Sequence, residues 1–417
     1  MNQAKPFKID KISVCNAWLK VKGNDGAAGI DKQSIADFES NLKQNLYKLW
    51  NRLSSGSYFP PAVRGVEIPK RNGKTRLLGI PTIMDRIAQT VVRDSLEKIV
   101  DARFHQDSYA YREGKSALDA INVTRQRCWK YNWVLEFDIK NAFDNIDHEL
   151  LMKAVKCHTT CRSTLLYIER WLKAPLIRAD GSKEERVKGT PQGGVISPLL
   201  FNIYLHYTFD LWMTRTFPDI PFARYADDGL MHCKSERQAL YILDKLDERF
   251  KKCGMELNRE KTNVIYCKDG NRKDTYSKIQ FDFLGCTFRN RLAKSKEGKY
   301  FSSFSPAISN ASAKRIRQSM RSLGISRWTN AELEDIGTLT DPKISGWWNY
   351  YGKFNPGIMK EILSHLNFIL VKWVMRKHKR FRGRKRQARQ WLANVARRET
   401  KLLSLWELGI LPAMVEQ

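Results

Sequence analysis

The chain has 417 residues, 42% hydrophobic and 28% charged, which allows two or three domains and a sizeable core. Its 73 Lys and Arg against 44 Asp and Glu leave a net charge of +29, an excess that points to a polyanionic partner, most simply nucleic acid. Neither a membrane span of roughly 20 apolar residues nor the apolar segment of a secretory signal is present, and eight scattered cysteines suit reduced thiols in a cytoplasmic protein.

Residues 14–21 form a short amphipathic piece that ends in Gly23-Asn24-Asp25-Gly26. Ile35, Phe38, Leu42, Leu46, Leu49 and Leu53 recur at three- and four-residue steps and predict one helix over 34–53. Two strand-like runs, Val63–Pro69 and Thr75–Ile80, are joined by Arg71-Asn72-Gly73, the composition of a hairpin turn. Helical periodicity covers 84–100 and 116–130, and 133–139 is strongly β-prone. Two helices are expected within 149–172 and a long apolar helix over 199–214. The spacing then gives a β-hairpin over 222–233, a helix over 236–253, and strands at 263–266 and 279–288. From about residue 305 the pattern is helical, with aromatic and basic residues interleaved. Between Lys372 and Lys401 there are thirteen Lys or Arg and one acidic residue.

Cys157-His158-Thr159-Thr160-Cys161 has ligand-like spacing but lacks a fourth partner, and it reads as ordinary helix and connection. Tyr225-Ala226-Asp227-Asp228 carries more chemistry. Adjacent carboxylates on a tight turn repel, and divalent ions held by oxygen ligands relieve that repulsion. Taken alone, the tetrapeptide is also an ordinary surface turn. Asp138 supplies a third carboxylate at the end of Val134-Leu135-Glu136-Phe137, where an unpaired charge after a buried strand would be costly. Asp144 and Asp147 read as helix caps. Pro191-Gln192-Gly193-Gly194 is a turn whose glycines admit close backbone approach to a ligand, and Ser197-Pro198 opens the next helix.

The ordered set comprises a basic hairpin, Asp138-x4-Phe143, Pro-Gln-Gly-Gly, the Tyr-Ala-Asp-Asp hairpin, Leu257-Asn258-Arg259-Glu260-Lys261-Thr262 and Phe283-Leu284-Gly285. It resembles the reverse transcriptases, specifically the bacterial group II intron-encoded type. Val66-Glu67-Ile68-Pro69-Lys70, Leu78-Gly79-Ile80-Pro81-Thr82, Asp85-Arg86 and Gly346-Trp347-Trp348-Asn349-Tyr350-Tyr351 extend the likeness over nearly the whole chain. The resemblance implies an α+β right-hand polymerase. Its fingers would lie within 1–132, a palm with a βαβ-type antiparallel sheet within 133–300, and an α-helical thumb within 301–417.

It implies catalytic, metal-binding roles for Asp138, Asp227 and Asp228, with the Ile139 carbonyl beside them and two Mg2+ ions as cofactor. Lys70 and Arg76 would grip a triphosphate, and Phe143 would lie under the incoming sugar and select deoxynucleotides. Gln192 would flank the nucleotide, Lys261 would act as charge stabiliser or general acid, and Phe283, Leu284 and Gly285 would support the primer end. Arg376, Lys377, Lys379, Arg380, Arg382, Arg384, Lys385, Arg386 and Arg389 would contact RNA phosphates. The implied partners are a structured RNA template, a DNA or RNA primer and dNTPs, with no membrane.

The chain departs from the family pattern at Ser108-Tyr109-Ala110-Tyr111-Arg112-Glu113-Gly114, with Ala110 for a usual Gly and Glu113 for a usual Pro. Ala142 also stands where an aromatic or Gly is common, and no length is left after the thumb for an endonuclease domain. Three roles stay open: intron mobility with splicing, a domesticated defence enzyme copying a dedicated noncoding RNA, or a splicing cofactor that only binds RNA.

Overall fold

The computed structural model describes residues 5–69, 73, 75–295 and 297–413. The chain is α+β with antiparallel pairing dominant, and it divides into two compact units. One comprises the chain to Ala120 with Leu135–Asn263; the other comprises Ile121–Val134 and the chain from Val264 onward.

The first unit opens with helix Lys11–Asn24, whose N-terminal amides Asp10 caps. Its Trp18 ring stacks on Phe38 at 5.1 Å. The single helix expected over 34–53 is two, Ile35–Ser40 and Leu42–Ser55, because Asn41 leaves helical geometry at φ −126°. Apolar spacing carries across such a break, so periodicity alone cannot locate it.

Strands β1 (Val63–Pro69) and β2 (Thr75–Ile80) pair antiparallel from Arg64↔Ile80 to Pro69↔Thr75. Lys70 lies outside the described residues. Helix Ile83–Val100 follows, with buried Asp85 accepting from Tyr58 Oη (2.7 Å), Trp171 Nε1 (2.7 Å) and Gln89 Nε2 (2.9 Å). Gln89 Oε1 in turn accepts from the Ile196 amide, tying the Pro191–Ser197 loop to this helix.

Strand β3 is Trp133–Phe137. The short β4 (Leu176–Ile177) runs parallel to β1, and β5 (Lys183–Glu184) closes a sheet of order β2-β1-β4-β5. The helix expected over 199–214 is interrupted. Ser197–Leu205 and Leu211–Thr216 are joined by a π-turn over His206–Asp210, the kind of local bulge that serves functional sites.

Strands β6 (Phe222–Tyr225) and β7 (Asp228–Cys233) form the expected hairpin. With β3 and β8 (Asn263–Tyr266) they make a sheet of order β6-β7-β3-β8, and the division between units runs through β3 and β8 themselves. Gly229 faces the Phe137 ring so closely that any Cβ there would collide with it, which is why the residue after the two aspartates is glycine.

In the second unit, β9 (Gln280–Phe283), β10 (Cys286–Lys294) and β11 (Tyr300–Ile308) form an antiparallel sheet. The single strand expected over 279–288 is therefore a hairpin. Leu284 (φ 51°) and Gly285 (φ 79°) form its two-residue turn, the mirror-image type that matches strand twist. Strand continues to Ile308, past the residue where helix was expected to take over. Helices Asn310–Ser322, Leu333–Trp347, Pro356–Leu363, His365–Lys377 and Lys385–Arg398 then pack around Ile336, Leu366, Leu370, Trp373 and Trp406. Asn367 binds this core internally, donating to the Ile410 carbonyl and accepting from Trp406 Nε1. Among the described residues no helix is long and apolar enough to cross a membrane.

Candidate active site

The turn between β6 and β7 holds Ala226 and Asp227, and the register Tyr225↔Asp228 makes it a two-residue connection. Ala226 adopts φ 56°, an unfavourable value for a residue with a Cβ. That conformation puts both carboxylates at the strand end.

Asp138 follows β3 and is 8% exposed. Its Oδ2 accepts from Asn258 Nδ2 at 2.9 Å and Lys261 Nζ at 3.0 Å, and its carbonyl accepts from the Asn258 amide. Ile139 pairs with Leu257 in an isolated antiparallel bridge. The hydrogen bonds lie at Asp138 and Lys140 on either side, so Ile139 points its own N–H and carbonyl away from Leu257.

The three carboxylates interact. Burial and the Asp138 charge raise the Asp227 carboxyl. Asp228 keeps an open edge to solvent, yet the protein crowded around it, with Asp227 and Asp138, pushes its carboxyl up to about 7. Asp228 and Asp138 are within hydrogen-bond reach of each other. Burial works to lower the Lys261 ammonium, but its bond to Asp138 prevails and holds it above the ordinary lysine range.

Among the described residues, no three His, Cys, Asp or Glu side chains form a ready cage for a metal ion; here Lys261 and Asn258 hold Asp138 instead. The donor set still suits one. All its members are hard oxygen ligands, and the elevated Asp227 and Asp228 carboxyls register a local excess of negative charge that a divalent cation would relieve.

A pH effect follows. An unfolded aspartate loses its proton near pH 4, whereas folded Asp228 keeps it to about 7. Stability therefore falls as pH rises through that window. In metal-free buffer, Asp228→Asn is expected to melt above the wild type at pH 8 by on the order of 1–2 °C. The difference should vanish toward pH 4 in calorimetry.

Arg76 lies exposed on β2 and contributes its charge at Asp227. The Phe143 ring is half-buried and stacks on Phe201 at 4.3 Å. Gln192 donates through Nε2 to both oxygens of Asp144 at 3.3 Å. Asp144 is thus not a helix cap, while Asp147 is one, accepting from the Leu150 amide. Gly193 (φ 119°) lies against the Gly79 carbonyl, where a Cβ would approach to 2.6 Å.

In the second unit, Phe283 is buried at the end of β9, and the Leu284 carbonyl accepts from Tyr350 Oη at 2.9 Å. Lys379, Arg380, Arg382, Arg384, Lys385 and Arg386 are exposed. Arg389 lies over the Phe368 ring at 6.0 Å. Arg376 reaches Ser326 at 3.3 Å, and Lys377 is drawn inward to Glu332 Oε1 and the Ala331 carbonyl, both at 2.6 Å.

One feature of the site escaped sequence reading, the residue behind the turn. Arg224 is 0% exposed and spends all five of its N–H donors. They go to Asp210 Oδ1 (2.8 Å) and Oδ2 (2.7 Å), Asn202 Oδ1 (3.2 Å), Ser108 Oγ (2.8 Å) and the Ala226 carbonyl (3.2 Å). An arginine inside an otherwise apolar strand signals a buried partner, but only the fold supplies its identity.

Comparison with known proteins fixes the class. Residues 68–288 match the family described as reverse transcriptase (RNA-dependent DNA polymerase), more than half of the chain. The chain belongs to that family and is by class an RNA-directed DNA polymerase. Residues 313–391 match the group II intron, maturase-specific domain, so within the family it is of the group II intron type.

It is 31% identical to protein YkfC of Escherichia coli K12 over 282 residues, 58% of this chain and 73% of that protein. It is 36% identical to the group II intron-encoded protein LtrA of Lactococcus lactis subsp. cremoris over 193 residues, 46% of this chain but only 32% of LtrA. A solved telomerase from Candida albicans aligns over 90% of this chain and 67% of its own, at 13% identity and a TM-score of 0.46, too distant to add to the assignment.

Proposed function

We propose that this chain copies a bound structured RNA into DNA by two-metal nucleotidyl transfer, joining a primer 3′-oxygen to the α-phosphate of a dNTP. The observation that carries the reading is the meeting of Asp138, Asp227 and Asp228 at one end of the sheet, where burial and then neighbouring carboxylate charge raise the Asp227 and Asp228 carboxyls. Asp138, Asp227, Asp228 and the Ile139 carbonyl would hold two Mg2+ ions. Bound there, the ions would activate the primer hydroxyl and offset charge on the triphosphate.

Lys261, protonated at Asp138, suits charge stabilisation better than proton donation. Arg76, with Lys70 at the same hairpin, would grip the triphosphate. Gln192, braced by Asp144, would flank the nucleotide. The Phe283-Leu284-Gly285 turn would support the primer. Exposed bases of 379–386 would hold RNA phosphates, more than the internally engaged Arg376, Lys377 and Arg389. Fingers, palm and thumb over 1–132, 133–300 and 301–417 remain our proposed assignment.

Phe143, braced on Phe201, would block a 2′-hydroxyl. Phe143→Ala is then expected to raise ribonucleotide incorporation relative to deoxynucleotide by roughly tenfold or more. Primer extension with matched rNTP and dNTP checks this.

The match to the maturase-specific domain favours work within an intron ribonucleoprotein, including a splicing role. A defence enzyme with its own noncoding RNA is the second reading, supported by the altered segment 108–114. The purified chain should extend a DNA primer on an RNA template with Mg2+ and dNTPs. Sequencing the RNA that co-purifies decides the role: a catalytic intron supports the first, a short folded RNA encoded beside the gene the second. Failure to extend any primer while binding intron RNA would leave only the splicing cofactor.

A further inference from the structure

The altered segment at 108–114 has a defined place. Ser108 forms a parallel bridge with Arg224, the Tyr109 amide donates to the Arg224 carbonyl at 2.9 Å, and the Arg224 amide donates to the Asp107 carbonyl at 2.9 Å. Segment 107–109 therefore lies alongside β6. Ala110 and Tyr111 follow this bridge on one chain segment, as Ala226 and Asp227 follow β6 on the other. The Ala110 carbonyl is fixed by Asn202 Nδ2 at 2.7 Å, and Asn202 is itself held by Arg224. On the other side, Arg112 locks the chain through Asp101 Oδ1 at 2.7 Å and the His105 and Ser108 carbonyls.

Between these anchors Tyr111 adopts φ 58°, and its ring is left 49% exposed. A bulky side chain in the left-handed region is strained, and strain of this kind persists where the surrounding structure dictates it. The tyrosine gains little from packing that would justify the conformation. Its phenol interacts electrostatically with Asp227, Tyr225 and Arg76. It thus lies near both the Asp227 carboxylate and the arginine proposed to grip the triphosphate.

We infer that Tyr111 is a substrate-contacting residue whose exposed ring forms a wall of the nucleotide pocket and packs on the incoming dNTP. The inference rests on the polymerase reading above. The strained backbone turns the ring toward the nucleotide instead of into the core, and the Arg224–Asn202 network ties that backbone to the catalytic turn.

The test uses the full chain with Tyr111→Gly and Tyr111→Phe. Glycine removes the ring and also relieves the positive φ, so this variant should melt at or above the wild-type temperature. Single-nucleotide extension on an RNA template should show its dNTP KM raised roughly tenfold, the size of one aromatic contact, with kcat changed far less. Tyr111→Phe should keep the wild-type KM. The thermal shift that dATP with Mg2+ gives the primer–template complex should shrink for the glycine variant in parallel.

An unchanged KM for Tyr111→Gly, or a loss confined to kcat, would overturn the inference. A phenylalanine variant as impaired as the glycine one would overturn the ring contact. If wild type does not extend primers, the polymerase reading fails on its own, and the dATP thermal shift still decides whether Tyr111 touches nucleotide.

Discussion

Replacing either Asp227 or Asp228 with alanine should abolish primer extension, by roughly 10³-fold or more, because in the proposed mechanism the carboxylates of the metal pair act as a unit. The same variants should fold and keep their RNA. In the metal-free protein these groups repel each other and Asp138, so removing one relieves a charge excess instead of creating an unpaired buried group. The charge we propose for RNA phosphates lies elsewhere, on the exposed Lys and Arg side chains of 379–386. The measurement pairs extension on an RNA template with quantified co-purifying RNA and a melting curve. Activity that survives in the Asp227→Ala/Asp228→Ala double variant would remove these residues from the mechanism. Loss of RNA and fold together would make them structural.

The parts of this site that were legible in the sequence are those with a local signature. A hairpin over 222–233 follows from two β-prone runs around a two-residue turn, and its two carboxylates need no partner to be conspicuous. Asp138 stood out because a charge at the end of a buried strand must be matched. What was not legible depends on tertiary partners. Asp144 carries the composition of a cap yet braces Gln192, 48 residues away. The π-turn at His206–Asp210 leaves no mark in hydropathy, since Leu199–Leu205 before it and Leu211–Met213 after it are largely apolar. The turn at Leu284-Gly285 was concealed because leucine is a poor signal for φ 51°. Asn258 sat in view within the Leu-Asn-Arg-Glu-Lys-Thr motif, but its bond to Asp138 spans 120 residues.

The π-turn matters because it carries Asp210, the counterion of Arg224. Both side chains are 0% exposed, and despite burial the arginine holds the Asp210 carboxyl below its ordinary range. Arg224→Met is expected to cost about 3–5 kcal/mol, since it strands a buried carboxylate, and Asp210→Asn should cost a large part of that by weakening the arginine's forked contact. Urea unfolding of the full chain measures both. The informative variant is the double one. Arg224→Met with Asp210→Leu replaces two buried charges by apolar volume, a change that is often neutral for stability. It should recover the part of the lost stability owed to the stranded carboxylate, yet it leaves the Ala226 carbonyl, Ser108 and Asn202 without the donor that sets the Asp227–Asp228 turn against segment 107–109. Stability regained while extension stays depressed would make Arg224 a positioning residue for the Asp227–Asp228 turn. Full recovery of both would reduce the buried pair to a feature of the core.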